Sequence, residues 1–303
     1  MSSHEENFEK CPAPGRKSRV FSDPRAKPLR QAGFSGRVIG SSGNIGQEEM
    51  VEKLKIYAED ADILVVYKPA GVDSQESRGL GADMVSLLKN HLAEEARGTG
   101  GKLSTKSSTV CAPPYLAVVH RLDRQVAGIM VYAKNRKAAA ALSAGLSGGD
   151  AGKTYLAVLC GKPVDNSGEL VDYLVKDGRA NLTRAVDKGT PGAKKAVLRY
   201  ETLGSIPDPE AGVLTLVRVH LVTGRHHQIR VQFASRGLPL CGDPKYNPAC
   251  REKRGGNPAL CAVGLTFRHP RDGKTRTFSI RAEGEIFDRF RRAGILKDEE
   301  ESG

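Results

Sequence analysis

The 303-residue chain contains no tryptophan, and aromatic residues make up only 5% of it. Its core must therefore rest mainly on aliphatic side chains, and each remaining aromatic becomes a position to account for. No apolar run approaches the roughly 20 residues that cross a bilayer, so the chain offers no candidate membrane helix. Met1 to Lys10 is polar and acidic, and no apolar stretch of a secretory leader follows it. Six cysteines, at 11, 111, 160, 241, 250 and 261, include no Cys-x-x-Cys pair, and the last three lack the close spacing of a zinc site. Cys160 lies in an apolar strand-like run and reads as a buried thiol, whereas Cys250 sits in a polar loop. Free thiols suit a reducing compartment, and a cytoplasmic protein is expected.

Positive charge, by contrast, is plentiful. Lys and Arg number 47 against 35 Asp and Glu, a net charge of +12. Such a field attracts polyanions and speeds encounter with nucleic acid through phosphate contacts. No basic amphipathic helix with a strong apolar face stands out, which argues against a membrane surface as the partner.

Residues 1–50 are rich in Pro, Gly, Ser and charge and read as an arm, with Lys17 to Arg37 its basic part. Residues 51–295 carry the ordered pattern of one domain, and 296–303 form a polar tail. Within the domain, Ile63 to Tyr67, Leu116 to Val119, Ala127 to Tyr132 and Lys153 to Leu159 are strand-like. Met84 to Leu92 has helical spacing, and Asn135 caps an Ala-rich helix. Residues 97–114 read as a long loop, and 161–195 as a polar stretch with hairpin-like pieces. In the strand Val213 to Val222, the residues Val213, Thr215, Val217, Val219 and Leu221 share one face, leaving Arg218 and His220 on the other. Late strands over 261–267 and 275–280 precede a terminal helix, Ile286 to Arg292. Strands with interspersed helices and no regular βαβ alternation predict an α+β fold, a mixed, largely antiparallel β-sheet with flanking helices.

Three spots carry candidate chemistry. In His120-Arg-Leu-Asp-Arg124 a carboxylate follows a strand and is flanked by cations, which favour its ionised form. Asp123 is there either a catalytic group or a turn residue paired with arginine. In Thr223-Gly-Arg-His-His-Gln-Ile-Arg230, donors crowd the first turn of a helix, a place that attracts anions, and Arg230 is able to grip a carboxylate. His226 and His227 would point apart on that helix, which argues against a metal. In Lys153-Thr-Tyr155, Lys153 and Tyr155 share a strand face; Tyr155 is either a core residue or a platform for a base.

Together and in this order, these segments resemble the RluA-type pseudouridine synthase family. The family's His-Arg-Leu-Asp hallmark with its following strand matches His120 to Lys134, its Lys-x-Tyr matches Lys153 to Tyr155, and its Thr-Gly-Arg-x-His-Gln-(Ile/Leu)-Arg matches Thr223 to Arg230. Gly237 to Tyr246 resembles its Gly-x-Pro-(apolar)-x-Gly-Asp-x-x-Tyr, and Tyr67-Lys-Pro-Ala-Gly71 its Asn-Lys-Pro-x-Gly. The resemblance implies that Asp123 is the catalytic aspartate, Tyr155 the aromatic that stacks on the target base, and Arg230 the partner of Asp123. Ile229 would pack the pocket and Arg121 would support or replace the flipped nucleotide. His120, Lys153, Arg225, His227 and Gln228 are the further candidates for contact with RNA.

The implied reaction breaks C1′–N1 of uridine, turns the uracil and joins C5 to C1′. No electrons and no phosphoryl group change hands, so the resemblance implies no cofactor, no metal and no nucleotide. The expected partner is structured RNA, ribosomal or transfer, held by shape and phosphates, and a monomer is expected. Two departures stand out: Val126-Ala127 replaces the family's Thr-Ser, removing hydroxyls that would brace the catalytic loop, and Tyr67 replaces Asn. The competing readings are an RNA-binding or ribosome-assembly protein that keeps the fold with little catalysis, and a hydrolase built on Asp123 and His120. The second lacks a matched second carboxylate.

Overall fold

The computed structural model describes residues 54–76, 81–98, 113–148, 152–251 and 256–297. The N-terminal arm, most of the 97–114 loop and the tail beyond 297 lie outside the described residues. The strands are β1 (Ile56–Glu59), β2 (Ile63–Lys68), β3 (Ala117–Val118), β4 (Ala127–Ala133), β5 (Gly152–Cys160) and β6 (Ser167–Asp177). They continue with β7 (Leu182–Val186), β8 (Lys194–Asp208), β9 (Gly212–Leu221), β10 (Leu260–Arg268) and β11 (Thr275–Ser279). The helices are α1 (Met84–Gly98), α2 (Arg136–Gly148), α3 (Gln228–Ala234) and α4 (Glu285–Arg292). All eleven strands join one sheet in the order β1-β2-β4-β10-β5-β9-β8-β6-β7, with β11 beside β10 and β3 beside β4. Among these strands of the described residues β4 and β10 pair in parallel and the other strand pairs are antiparallel. The expected mixed, largely antiparallel α+β fold is the one observed.

The sheet is covered on both faces through its middle, which explains why β2 and β4 are continuous apolar runs rather than alternating ones. On one face Leu64, Val66, Met130 and Tyr132 pack with Met84 and Leu88 of α1, and Val217 and Val219 with Ile229 and Phe233 of α3. On the other, Val65 and Val131 meet Leu142 of α2, and Val158 and Leu216 meet Phe287 and Phe290 of α4. The single apolar face expected of β9 holds for its second half, where Arg218 pairs with Glu201 at 2.6 Å and His220 is exposed. In the first half Leu214 and Leu216 are buried as well, because α4 covers the face that alternation alone would leave to water.

The polar stretch before β8 holds a longer hairpin than its composition suggested. β6 runs for 11 residues, and its turn is closed by Asp177, whose Oδ1 accepts from the backbone of Arg179 and Ala180. Asn135 caps α2 as expected, accepting from the Ala138 amide at 2.9 Å. Cys160 is only half-buried and accepts from Asn247 Nδ2 at 3.4 Å, whereas Cys250, expected in an open loop, is buried in the short 3-10 turn Pro248–Cys250. At the β4–β10 junction Gly128 has φ of 142°, and a Cβ there would stand 2.5 Å from the Ala262 backbone. That close approach ties the strand leaving the Asp123 segment to the sheet centre.

Candidate active site

Asp123 lies in the loop between β3 and β4, and buried polar groups clamp that loop from below. Ser74 Oγ donates to the Leu122 carbonyl at 2.7 Å and accepts from the Leu122 amide at 3.1 Å, and Tyr132 Oη holds the Ser74 carbonyl at 2.8 Å. Lys68, fully buried, turns its ammonium onto the carbonyls of Pro69, Val72 and Arg124 at 2.9, 2.8 and 3.2 Å. Burial pulls its pKa down to about 7, opposed by the charge of Asp123. Three carbonyl acceptors match the three N–H bonds of the charged form, so the geometry favours the ammonium. Val126 is buried in the main core, and its amide closes the turn on the Asp123 carbonyl at 2.9 Å. Ser74 and Lys68 thus brace the loop, with no hydroxyl at positions 126 and 127.

Across the cleft, α3 presents Arg230, only 1% exposed. Its Nη1 reaches Asp123 Oδ2 at 3.1 Å, but its main partner is Asp243. Nε and Nη2 each donate to that fully buried carboxylate at 2.7 Å, a bidentate pair. Asp243 also accepts from the backbone of Lys245 and Tyr246, so the guanidinium is anchored to a rigid turn. Its pKa is raised by the two carboxylates against the opposing effect of burial. Tyr246 stacks beneath it, 5.2 Å from ring centre to guanidinium carbon.

His227 completes the group. Its backbone is left-handed, with φ of 52°, at the entrance to α3. That conformation overturns the expectation that His226 and His227 point apart. Both precede the first helical turn, and their rings stack with centres 3.7 Å apart. His227 Nδ1 meets Tyr246 Oη at 2.8 Å and its Nε2 lies 3.6 Å from Asp123 Oδ2. Burial, and then the Arg230 charge, holds its pKa down at about 2, so the ring is neutral.

Asp123, His226, His227 and Arg230 line an open cleft of about 1300 Å³. Tyr155 of β5 forms part of its wall, and burial, then the nearby Asp123 charge, pushes the phenol pKa up. Lys153 lines the same cleft, its pKa lowered by burial. Lys176, Lys245, Arg121, Arg124 and Arg225 add positive charge at the edges. The arrangement suits a carboxylate acting on a flat, polyanion-bound substrate. Arg230 Nη1 donates to one oxygen of Asp123, Oδ2, with His227 Nε2 3.6 Å away, and among the described residues no donor bonds the other, Oδ1.

Residues 62–235 match the family model described as RNA pseudouridylate synthase. The chain belongs to the RNA pseudouridylate synthase family. Its RluA-type branch is supported by the curated relatives. An uncharacterized RNA pseudouridine synthase of Bacillus subtilis (strain 168), YlyB, is 34% identical over 73% of this chain and 66% of its own length. Ribosomal large subunit pseudouridine synthase D of Zymomonas mobilis is 31% identical over 74% of this chain and 68% of its own. Among solved structures, human RNA pseudouridylate synthase domain containing 4 shares the fold, with a TM-score of 0.62 at 19% identity over 81% of this chain and 96% of that one. This chain thus spans about two thirds of the length of the curated relatives named.

Within this pseudouridine synthase fold, the residues singled out from sequence fall into three groups. Asp123, Tyr155, Arg230, Ile229 and Lys153 converge on the cleft. Arg121 and Arg225 sit exposed on its rim, Arg121 donating to Gln75 at 3.3 Å and Arg225 to the Lys195 carbonyl at 3.0 Å. The third group, His120, Gln228 and His227, is bonded to protein groups in the cleft wall. His120 Nε2 accepts the Val131 amide at 3.0 Å, and burial takes its pKa down to about 3. Gln228 spends its amide on Thr223, Arg225 and the Val197 carbonyl. Both nitrogens of His227 are turned to protein groups, and the residue is only 6% exposed. All three also line the cleft, so these bonds to protein groups shape its wall. Asp243, Lys68 and Ser74 were not singled out, although Asp243 and Lys68 stand inside the quoted Gly-Asp-Pro-Lys-Tyr and Lys-Pro-Ala-Gly segments.

Proposed function

We propose that the protein converts a specific uridine of structured RNA to pseudouridine, with Asp123 as the essential carboxylate. The observation that carries this reading is the Asp123–Arg230–Asp243 chain beside Tyr155 in a basic cleft. Arg230, locked by Asp243, is pre-organised to hold and aim Asp123, the arrangement electrostatic catalysis requires. Oδ1 is the oxygen free to act at the sugar or the base. Tyr155 offers its ring to the uracil, offsetting part of the few kcal/mol spent on taking a base out of its stack. In the net reaction C1′–N1 breaks, C5–C1′ forms, C5 loses a proton and N1 gains one. The phenol of Tyr155, made less acidic by burial, is neutral and takes up the C5 proton only if it gives up its own, to N1 or to solvent.

For the RNA, we infer ribosomal RNA as the first candidate and transfer RNA as the second, because relatives named for large-subunit ribosomal RNA are about 30% identical. The cations at the cleft edge would hold phosphates, giving affinity that falls steeply with salt. Mapping pseudouridine across cellular RNA with and without the gene tests this. One or a few uridines should stay unmodified in its absence; identical maps would refute the assignment.

A further inference from the structure

Arg230 by itself does not fix the catalytic carboxylate. It gives Asp123 a single nitrogen, Nη1, because Asp243 has taken Nε and Nη2. One donor leaves a carboxylate free to swing about that contact. The second group at the same oxygen is His227 Nε2, at 3.6 Å from Oδ2. That is longer than a hydrogen bond, and catalytic hydrogen bonds tighten in the complex with substrate.

The ring of His227 is held from several directions. Tyr246 Oη, which accepts the Thr183 amide at 2.8 Å, has its own proton to give, and His227 Nδ1 lies 2.8 Å away. A neutral imidazole that accepts at Nδ1 must carry its hydrogen on Nε2, the nitrogen facing Asp123. His226 stacks on the same ring and is itself tied to Thr183 Oγ1 at 2.7 Å. Tyr246 meets the ring edge-on, 5.5 Å between centres. A left-handed backbone at a non-glycine residue costs free energy and survives where surroundings over-determine it, commonly beside a functional group. His227 is 6% exposed, which leaves little of the ring for RNA, and a neutral ring does not compete with Arg230 for the charge of Asp123.

We propose that His227 is a positioning residue for Asp123. Its Nε2–H, set by Tyr246 on the far side of the ring, steadies Oδ2 and so presents Oδ1 to the nucleotide. The role rests on the proposed isomerase reading and assigns His227 to the aspartate rather than to the RNA.

Kinetics on unmodified transcripts of large-subunit ribosomal RNA and transfer RNA, labelled as [5-³H]uridine, test it, since C5 loses its hydrogen on each turnover. His227→Phe keeps a flat ring under His226 but offers no donor. Its kcat should fall on the order of 10- to 100-fold, the rate equivalent of one hydrogen bond to a charged group, with KM within about twofold of wild type by the same reasoning on binding. His227→Gln, which restores an N–H near the Nε2 position, should recover most of the loss. Tyr246→Phe, which removes only the hydroxyl, should lower kcat in the same direction.

Wild-type kcat in His227→Phe, a loss confined to KM, or a Gln variant as poor as Phe would each overturn the proposal. If His227→Phe fails to fold by circular dichroism, Tyr246→Phe decides, and an unchanged kcat there is fatal to it. A wild-type protein that releases no tritium from either RNA defeats the isomerase reading and this inference together. Normal turnover in wild type and His227→Phe alike defeats this inference alone.

Discussion

Replacing Asp243 by Asn keeps the shape of the side chain, removes its charge and leaves Arg230 with Asp123 alone as counter-ion. The carboxylate is fully buried, its partner Arg230 is 1% exposed, and two hydrogen bonds of 2.7 Å join them. Removing one member of a buried, hydrogen-bonded ion pair costs about 3–5 kcal/mol, because the other charge stays buried without compensation. In Asp243→Asn the retained oxygen can still accept from the Lys245 and Tyr246 amides and from Arg230 Nη2, while the new NH2 faces Arg230 Nε–H. The lower end of that range is therefore expected, which for a domain of this size lowers Tm by about 6–12 °C. Activity should fall further than stability, since Arg230 loses the anchor from which it holds Asp123. The double variant Arg230→Met with Asp243→Leu separates the two effects. Removing both charges relieves the burial penalty, so it should regain at least half of the lost Tm and yet remain inactive. Thermal unfolding and tritium release from labelled RNA are the two assays. An Asp243→Asn protein with Tm within about 1 °C of wild type and an unchanged rate would refute the view that Asp243 sets Arg230.

The frame around the cleft is open to the same kind of test. His120 has a folded pKa of about 3 because it is buried, below its ordinary value of 6.5. The unfolded chain therefore takes up the proton first, and the stability present above pH 6.5 is lost as pH falls toward 3. His120→Gln, which can accept the Val131 amide without titrating, should unfold at lower pH than wild type; coincident acid transitions would sink the point. Gly128→Ala should lower stability by about 3 kcal/mol or more, since its Cβ would enter the Ala262 backbone at a positive φ. A melting curve unchanged by that substitution would show that β4 and β10 are not so closely pressed.

The strands were legible because their β-branched runs are bounded by turn residues, and the cap of α2 because Asn135 precedes an alanine-rich stretch. The candidate site was legible only as separated motifs. Nothing in local spacing places Arg230 on Asp123, and that pairing came from the resemblance of the whole order. Asp243 escaped notice because Gly-Asp-Pro reads as a turn, and a turn carboxylate ordinarily serves its own backbone, which it also does here. The burial of Lys68 has no signal in local sequence, because it depends on the next turn and the Arg124 segment curling three carbonyls around the ammonium. The two histidines were misjudged through helical geometry applied one residue too early. A left-handed His227 leaves no mark in periodicity, yet it brings an imidazole to the catalytic carboxylate.

The central claim is that Asp123 performs the isomerisation, and one comparison addresses it most directly. Purified wild-type and Asp123→Asn proteins are incubated with unmodified, [5-³H]uridine-labelled large-subunit ribosomal RNA and transfer RNA, and pseudouridine is read at nucleotide resolution. The substitution is near-isosteric and Asp123 is partly exposed, so the variant should fold and bind RNA as wild type does. Pseudouridine is expected at one or a few defined positions with wild type and at none with Asp123→Asn. Equal modification by the two proteins would contradict the claim.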